Sequence, residues 1–540
     1  MNKLYILLVP FLISGIAKSQ NPQVKTCDGI VEGVYESGIK VFKGIPFATP
    51  PIGNLRWKAP QPVQKREGIF QAYQYGPNPM QEPVYGDMSF GTDKMSEDCL
   101  YLNIWTPAKS MTEKLPVLIY FNGGGFIAGS GSEPRYAGWS MARKDIISIT
   151  ANYREGIFGF FAHPSLSAET NYKGSGNYGL LDQQAAIKWV KENISAFGGD
   201  PHNITVAGES AGAMSVCALM ASPLSKGLFS KAIASSGSML GFKNYPTLKE
   251  AEQMGIEKMK EMGCKSLEEL RTLSAEELMK KAAVKSVPVY NIDGYFMTDD
   301  PLNIYARGEQ MKIPLLIGGN SHEITTAFLL KGKSPVLATV RETTQSILGG
   351  NVDALLKVYG LETDNDINSE KAVALASDLF IGFATWKWGH MHKLTGNQPV
   401  YRYNYCHPRP DMIDQSKVAG LAGGVMEKSD KQPSRPKPKG AAHSADIEYA
   451  MGTLPTNRVY DWQPDDYIMS NIFQNYYVNF IKTGNPNGLG LPDWNPTNGQ
   501  DIAPVLQLDI DTYQKSNAAL EQRYELMDKV WNDYRKKNSL

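Results

Sequence analysis

Gly208-Glu209-Ser210-Ala211-Gly212 sets a serine between two glycines, each two residues away. The β-branched run Ile204, Thr205 and Val206 reads as a buried strand, and the small residues from Ala211 onward open a helix. Ser210 therefore falls on a sharp turn between strand and helix, where a hydroxyl stands clear of its neighbours as a nucleophile. Such a turn strains the backbone at the serine and brings strand and helix so close that side chains at 208 and 212 would collide, a steric reason for glycine. The pattern alone recurs by chance in a chain with 50 glycines, so its meaning comes from the strand before it and the helix after it. The chemistry it could carry is attack on a carbonyl carbon.

A serine so used needs a base, and the base needs an acid to orient it. In strand-turn-helix sites of this kind the chain order is serine, acid, histidine. A predicted strand over 313–317 ends at Gly318, and Glu323 follows five residues after that glycine, at the C-terminal end of a parallel strand where ligands bind. By its local sequence alone Glu323 reads as a surface carboxylate; chain order makes it the candidate acid. Among the seven histidines, His163 and His202 precede Ser210, His322 would compete with its neighbour Glu323, and His390 and His392 sit in a predicted helix, two apart, as a surface pair. His407 and His443 remain. His443 lies among the small residues of Gly440-Ala441-Ala442-His443-Ser444, which let an imidazole approach, whereas His407 precedes Pro408 and reads as turn. The residues themselves leave both open.

Upstream, the apolar run 117–121 ends in Asn122-Gly123-Gly124-Gly125-Phe126. Three consecutive glycines leave their N–H groups free to point at an anion, as the oxygen of a tetrahedral intermediate requires. A glycine triplet alone is more often a plain loop; its place after a core strand and before the elbow matches the oxyanion loop of α/β-hydrolases.

The elements that must position these groups alternate. Short antiparallel edge strands over 24–42, punctuated by Gly29, Gly33 and Gly38, lead into a predicted loop over 42–51. Strands are expected over 100–105 (alternating), 117–121 (continuously apolar, hence central), 146–153 and 231–235. A helix over 180–192 turns Leu181, Ala185, Ile187, Trp189 and Val190 toward the sheet. Helices over 247–262 and 274–283 open on capping boxes, Thr247 with Glu250 and Ser274 with Glu277, and a helix over 520–534 closes the chain. Strand, helix and strand in succession predict an α/β fold with a mostly parallel central sheet and helices on both faces. No repeat or separate module interrupts it, so 20–540 is expected to be a single domain.

With 42% hydrophobic and 20% charged residues, the 540-residue chain can bury a large core. Its 55 basic and 55 acidic residues cancel, which gives no long-range pull on nucleic acid. Lys3, the apolar run 4–16 and Ala17-Lys18-Ser19 read as a secretory signal cleaved after Ser19, so the protein is expected to be secreted or periplasmic. The run is short of the roughly 20 residues that span a bilayer, and no later segment is long and apolar enough. Five cysteines, Cys27, Cys99, Cys217, Cys264 and Cys406, are odd in number and widely spaced, so no dense disulfide framework is expected. None lies in a Cys-x-x-Cys or Cys/His cluster, which leaves a metal site without support.

Further stretches carry a resemblance over essentially all of 20–540. They are Phe42 to Pro51 with Gly53, Leu55 and Arg56; Glu97-Asp98-Cys99-Leu100-Tyr101-Leu102-Asn103; the glycine triplet; Asn152-Tyr153-Arg154 with Phe158-Gly159-Phe160; Gly176-Asn177-Tyr178-Gly179-Leu180-Leu181-Asp182-Gln183; Phe197-Gly198-Gly199-Asp200-Pro201; the elbow; and Gly484-Asn485-Pro486-Asn487. In this order they resemble the type-B carboxylesterase/lipase family, which includes the cholinesterases, and imply the α/β-hydrolase fold. The resemblance implies Ser210 as nucleophile, Glu323 as acid and His443 as base, oxyanion donors at Gly124, Gly125 and Ala211, and Ser236 as a support behind acid and histidine. It implies ester hydrolysis through an acyl-enzyme with no metal or organic cofactor, on a small-molecule ester.

The chain departs from that pattern at Asn122, where histidine is common, and at Ile324 and Ser444, where glycine is usual. Pro79 and Glu269 stand near the positions of the usual partners of Cys99 and Cys264, so both are expected as free thiols. No tryptophan lies in 84–96, which argues against choline esters. A basic, proline-rich stretch over 428–439 enters just before His443 and could favour substrates with an anionic part, although a solvated loop is the plainer reading. Acyl transfer or amide hydrolysis could run on the same residues, and a non-catalytic adhesion member of the fold is the rival class. Such members typically lose the nucleophile, which this chain keeps.

Overall fold

Val117, Ile119 and Phe121 face one hydrophobic core, Leu118 and Tyr120 face another, and all five are buried. A strand apolar on both sides belongs in a sheet covered on both faces. The computed structural model describes residues 21–86, 88–282, 290–421, 425–428, 439–497 and 503–537. The signal segment 1–19 and most of the basic stretch, 429–438, lie outside these residues.

In chain order the strands are β1 (Gln23–Thr26), β2 (Gly29–Glu32), β3 (Val34–Glu36), β4 (Ile39–Pro46), β5 (Ile69–Gln71), β6 (Tyr101–Thr106), β7 (Leu115–Phe121), β8 (Ile147–Ala151), β9 (Gly199–Glu209), β10 (Lys231–Ser235), β11 (Leu315–Asn320), β12 (Val400–Tyr405), β13 (Lys417–Ala419), β14 (Val425–Glu427), β15 (Pro504–Leu508) and β16 (Tyr513–Ser516). The main sheet runs β16-β15-β12-β11-β10-β9-β7-β8-β6-β4-β3. From β15 to β8 every pairing is parallel; β16 at one edge and β6, β4 and β3 at the other are antiparallel. One face packs on the helices Tyr178–Asn193 and Ala211–Ala221, the other on Ile447–Met451 and Pro464–Thr483. The third core cluster joins the helices between Thr326 and Gly396 to the closing helix Ala518–Lys537.

Several local expectations need correction. The predicted loop over 42–51 is strand as far as Pro46, because β4 accommodates a bulge between Phe42 and Ile45. Gly44 sits in it at φ +74°, where an added Cβ would lie 2.5 Å from the Gln74 carbonyl oxygen. The strand predicted over 313–317 is displaced to Leu315–Asn320. Gly318 lies inside it rather than ending it, since the Tyr403 ring of β12 covers the space its side chain would need. Alternation over 100–105 does not survive either, because β6 is covered on both faces and all its residues after Tyr101 are buried. On the helix Tyr178–Asn193 the fully buried alanine is Ala186, with Ala185 only half-buried. His390 and His392 are not a surface pair: His392 is fully buried, its Nε2 2.8 Å from the Ile313 carbonyl oxygen, while His390 stacks on Trp386.

Both capping boxes form. The five cysteines are unpaired, with Cys99, Cys217 and Cys264 buried. No helix among the described residues is long and apolar enough to cross a membrane.

Candidate active site

Ser210 follows the last residue of β9 and precedes the helix Ala211–Ala221, with φ 56° and ψ −120°. A non-glycine residue rarely adopts this backbone, and it persists here because the neighbours over-determine it. The Ser210 N–H donates to the Ser235 carbonyl at 2.9 Å. A Cβ at Gly208 would fall 2.4 Å from the Gly212 carbonyl carbon, and one at Gly212 would fall 2.2 Å from the Phe121 oxygen. Glycine is thus required at both positions by backbone, not by a movable side chain.

β11 ends at Asn320, and the turn after it carries Glu323. The segment 440–443 is tied to that turn by four bonds. Gly440 N–H donates to His322 Nδ1 (3.1 Å), Ala441 N–H to Ser321 Oγ (3.0 Å), His322 N–H to the Ala441 carbonyl (2.9 Å) and His443 N–H to the Glu323 carbonyl (3.0 Å). The two segments, more than a hundred residues apart in sequence, are held by two backbone-to-backbone bonds and two from backbone to side chain. His443 Nδ1 then lies 2.7 Å from Glu323 Oε2, and His443 Nε2 lies 3.0 Å from Ser210 Oγ. The other Glu323 oxygen accepts from the Ser236 hydroxyl at 2.5 Å and the Asn320 N–H at 2.7 Å. His407 sits between Asp466 and Asp509, so of the two histidines left open it is His443 that reaches Ser210.

Glu209 was not singled out from sequence. It is buried, with Oε1 3.2 Å from His443 Nε2. A carboxylate in a motif of otherwise small residues was the available signal. Burial pushes its pKa up to about 8, while the attraction of His443 pulls the other way. Burial would lower the His443 pKa, but Glu209 and then Glu323 outweigh it and hold the imidazole up at about 9. The two titrations are coupled, and their steps belong to the pair. Asp446, also buried, accepts from Asn320 Nδ2 at 3.1 Å and from the Tyr403 hydroxyl at 3.3 Å; burial raises its pKa.

Gly123 passes directly over the serine, for a Cβ there would lie 3.2 Å from Ser210 Cβ. Gly124 and Gly125 have φ of 105° and 66°, and with Ala211 they line a cavity of about 850 Å³ that contains Ser210 and His443. Asn122 turns away beneath the loop, its amide donating to the Gly123 carbonyl and to Glu155. It does not crowd the site. Ser444 keeps the left-handed backbone that glycine would take (φ 60°), with its hydroxyl on the His443 carbonyl at 2.6 Å.

A single π-turn, Asp378–Gly382, precedes the helix Phe383–Gly396. It aims Phe380 at the imidazole, the rings edge to face at 5.1 Å. The turn is pinned from behind by Asp378, which accepts from the Tyr359 and Tyr524 hydroxyls at 2.5 and 2.8 Å. Burial raises the Asp378 pKa to about 6. Among the described residues, no group of three or more His, Cys, Asp or Glu gathers as a metal ion would need.

A profile of the Carboxylesterase family matches residues 20–527. The fumonisin B1 esterase of Sphingopyxis macrogoltabida is 37% identical over 406 residues, 72% of this chain and 72% of that one. The para-nitrobenzyl esterase of Bacillus subtilis (strain 168) is 32% identical over 523 residues, 93% of this chain and 98% of its own. A solved PNB esterase structure superposes with a TM-score of 0.77 at 30% identity, over 94% of this chain and 99% of that one.

Proposed function

Because this chain belongs to the carboxylesterase family and is a carboxylic ester hydrolase with the α/β-hydrolase fold, we propose that its reaction runs through Ser210, His443 and Glu323. Glu323 accepts from Nδ1–H of His443, which leaves the Nε2 lone pair facing the Ser210 hydroxyl. Ser210 Oγ attacks the ester carbonyl carbon as its proton passes to Nε2. The oxyanion is received by the N–H groups of Gly124, Gly125 and Ala211. Collapse breaks the bond to the alcohol oxygen, which leaves with the proton from the imidazolium. Water, deprotonated by the same nitrogen, then attacks the acyl-enzyme and releases the acid. Ser236 and the Asn320 N–H act on neither substrate nor serine; they hold the carboxylate that holds the histidine.

The observation that supports this reading best is the unbroken contact from Ser210 Oγ to His443 Nε2 (3.0 Å) and from His443 Nδ1 to Glu323 (2.7 Å). Ser210→Ala should lower kcat on p-nitrophenyl esters by at least about 10⁴-fold with an unchanged circular dichroism spectrum. In the parent protein a single turnover should add one acyl group to the peptide containing Ser210, read by mass spectrometry. Full activity in the alanine variant would overturn the assignment.

We read 20–540 as one catalytic domain, exported after cleavage following Ser19. The charged start, the apolar run and the small residues before Gln20 support this. N-terminal sequencing of protein recovered outside the cytoplasm should begin at Gln20; a chain that retains its first nineteen residues would argue against it.

A further inference from the structure

The cavity over Ser210 has two kinds of wall. Its apolar lining includes Phe242, Phe328, Leu329, Ile347, Phe380 and Ile381, of which Phe380 lies edge to face on the His443 ring at 5.1 Å. It is also lined by Lys331 and Lys333, both exposed, and by Lys243, whose ammonium is surface-accessible but whose pKa partial burial lowers. Lys331 and Lys333 flank Gly332 in the turn that closes the helix Thr326–Leu330, only a few residues past Glu323. That turn is fixed by the backbone bonds Lys331 N–H to the Phe328 carbonyl and Lys333 N–H to the Leu330 carbonyl. Lys243 comes from a different part of the chain, the segment after β10. None of the three ammonium groups makes an ion pair or hydrogen bond with another described residue.

Among the described residues, the acidic side chains lining the cavity are Glu209 and Asp378, both buried and already engaged, with His443 and with two tyrosines respectively. They do not neutralise the rim. The same cavity is lined by the buried Arg135, whose Nε is bound to Glu133 while its Nη1 has no partner among the described residues. The chain as a whole is electrically balanced, so the lysines are a local accumulation of positive charge in the wall of the cavity that contains Ser210.

We propose that the preferred esters carry a carboxylate at the end of an apolar spacer, held by Lys243, Lys331 and Lys333 while the spacer lies along the aromatic and aliphatic wall. The proposal rests on the Ser210 reading. Its chemistry differs from the basic stretch over 428–439, since these lysines lie on other loops, and Lys439 of that stretch is turned to Glu370 at 3.7 Å. Charged groups at a rim act on encounter and orientation more than on the chemical step, so the effect belongs in kcat/KM.

Two matched pairs of substrates test it, because the carboxylate can ride on either side of the ester. The acyl pair is the p-nitrophenyl half-ester of suberic acid against p-nitrophenyl octanoate. The alcohol pair is the acetate of p-hydroxybenzoate against that of p-hydroxybenzamide. In at least one pair the anion should be favoured in kcat/KM. Replacing Lys243, Lys331 and Lys333 together by Met should lower that ratio about tenfold, as charges lining the wall of a cavity allow. Removing three exposed lysines that do not line the cavity, Lys109, Lys280 and Lys536, should leave the ratio where it was. The preference should also shrink as salt shortens the Debye length from about 30 Å to about 3 Å. A ratio at or below one in both pairs, or one indifferent to the rim lysines, overturns the proposal. Turnover of the neutral esters reports hydrolysis separately, so its absence in the parent protein would count against the Ser210 assignment itself.

Discussion

At the scale of single residues, Glu209 is the group whose charge matters most to its neighbours. The proposed base, His443, must be neutral to act, and Glu209 and then Glu323 raise the pKa of its imidazole to about 9 against the pull of burial, in a titration it shares with Glu209. Activity should therefore be complete above that pH and decline as pH falls through it. Glu209→Gln removes the largest of the contributions that raise it, so the acid limb of the kcat/KM profile should move to lower pH; a limb that stays put would show that Glu209 does not set it. Ser236→Ala leaves Glu323 with one fewer donor in a buried site. A hydrogen bond to a charged group is worth about 1.5–3 kcal/mol, and if most of that reaches the transition state kcat/KM drops by about 10- to 100-fold. Rescue by Ser236→Thr would separate the hydroxyl's role from simple packing.

At the scale of elements, the site is made where parallel strands end. β7 leads to the glycine triplet, β9 to Ser210, β10 to Ser236 and β11 to Glu323, so four successive neighbours in the sheet deliver their groups to one edge. The elbow has no room for change. Gly212→Ala would drive a methyl into the Phe121 carbonyl, and backbone on backbone cannot relax by rotamer change. A loss of about 3 kcal/mol or more in urea unfolding is expected, together with loss of activity. The π-turn Asp378–Gly382 is a second device of this scale, for the extra residue per turn is what brings Phe380 to the imidazole. Phe380→Ala should widen the cavity there and raise kcat/KM for bulky esters relative to small ones. An unchanged size profile would mean that Phe380 only packs.

At the scale of the whole molecule, stability has to come from packing and buried polar networks, since the five cysteines are unpaired. A thiol assay on denatured, unreduced protein should count five. The Arg154 guanidinium and backbone N–H both bind Asp182, fastening the segment after β8 to the helix Tyr178–Asn193 in a fully buried pair. Asp182→Ala leaves a buried cation alone and should cost about 3–5 kcal/mol, seen as a lower Tm. The chain by itself determined the strand-turn-helix at Ser210, the capping boxes and the buried strands β7, β9 and β10, because each is written in residues adjacent in sequence. It misjudged the Gly44 bulge and Gly318, where glycine is needed to let a neighbour approach rather than to end a strand. Tertiary structure alone decided which histidine meets Ser210, that Glu209 faces it, that Phe380 covers it and that lysines from separate loops share one rim. Those relations depend on strand order and on segments more than a hundred residues apart folding back on each other, and no local spacing encodes a distance of that kind.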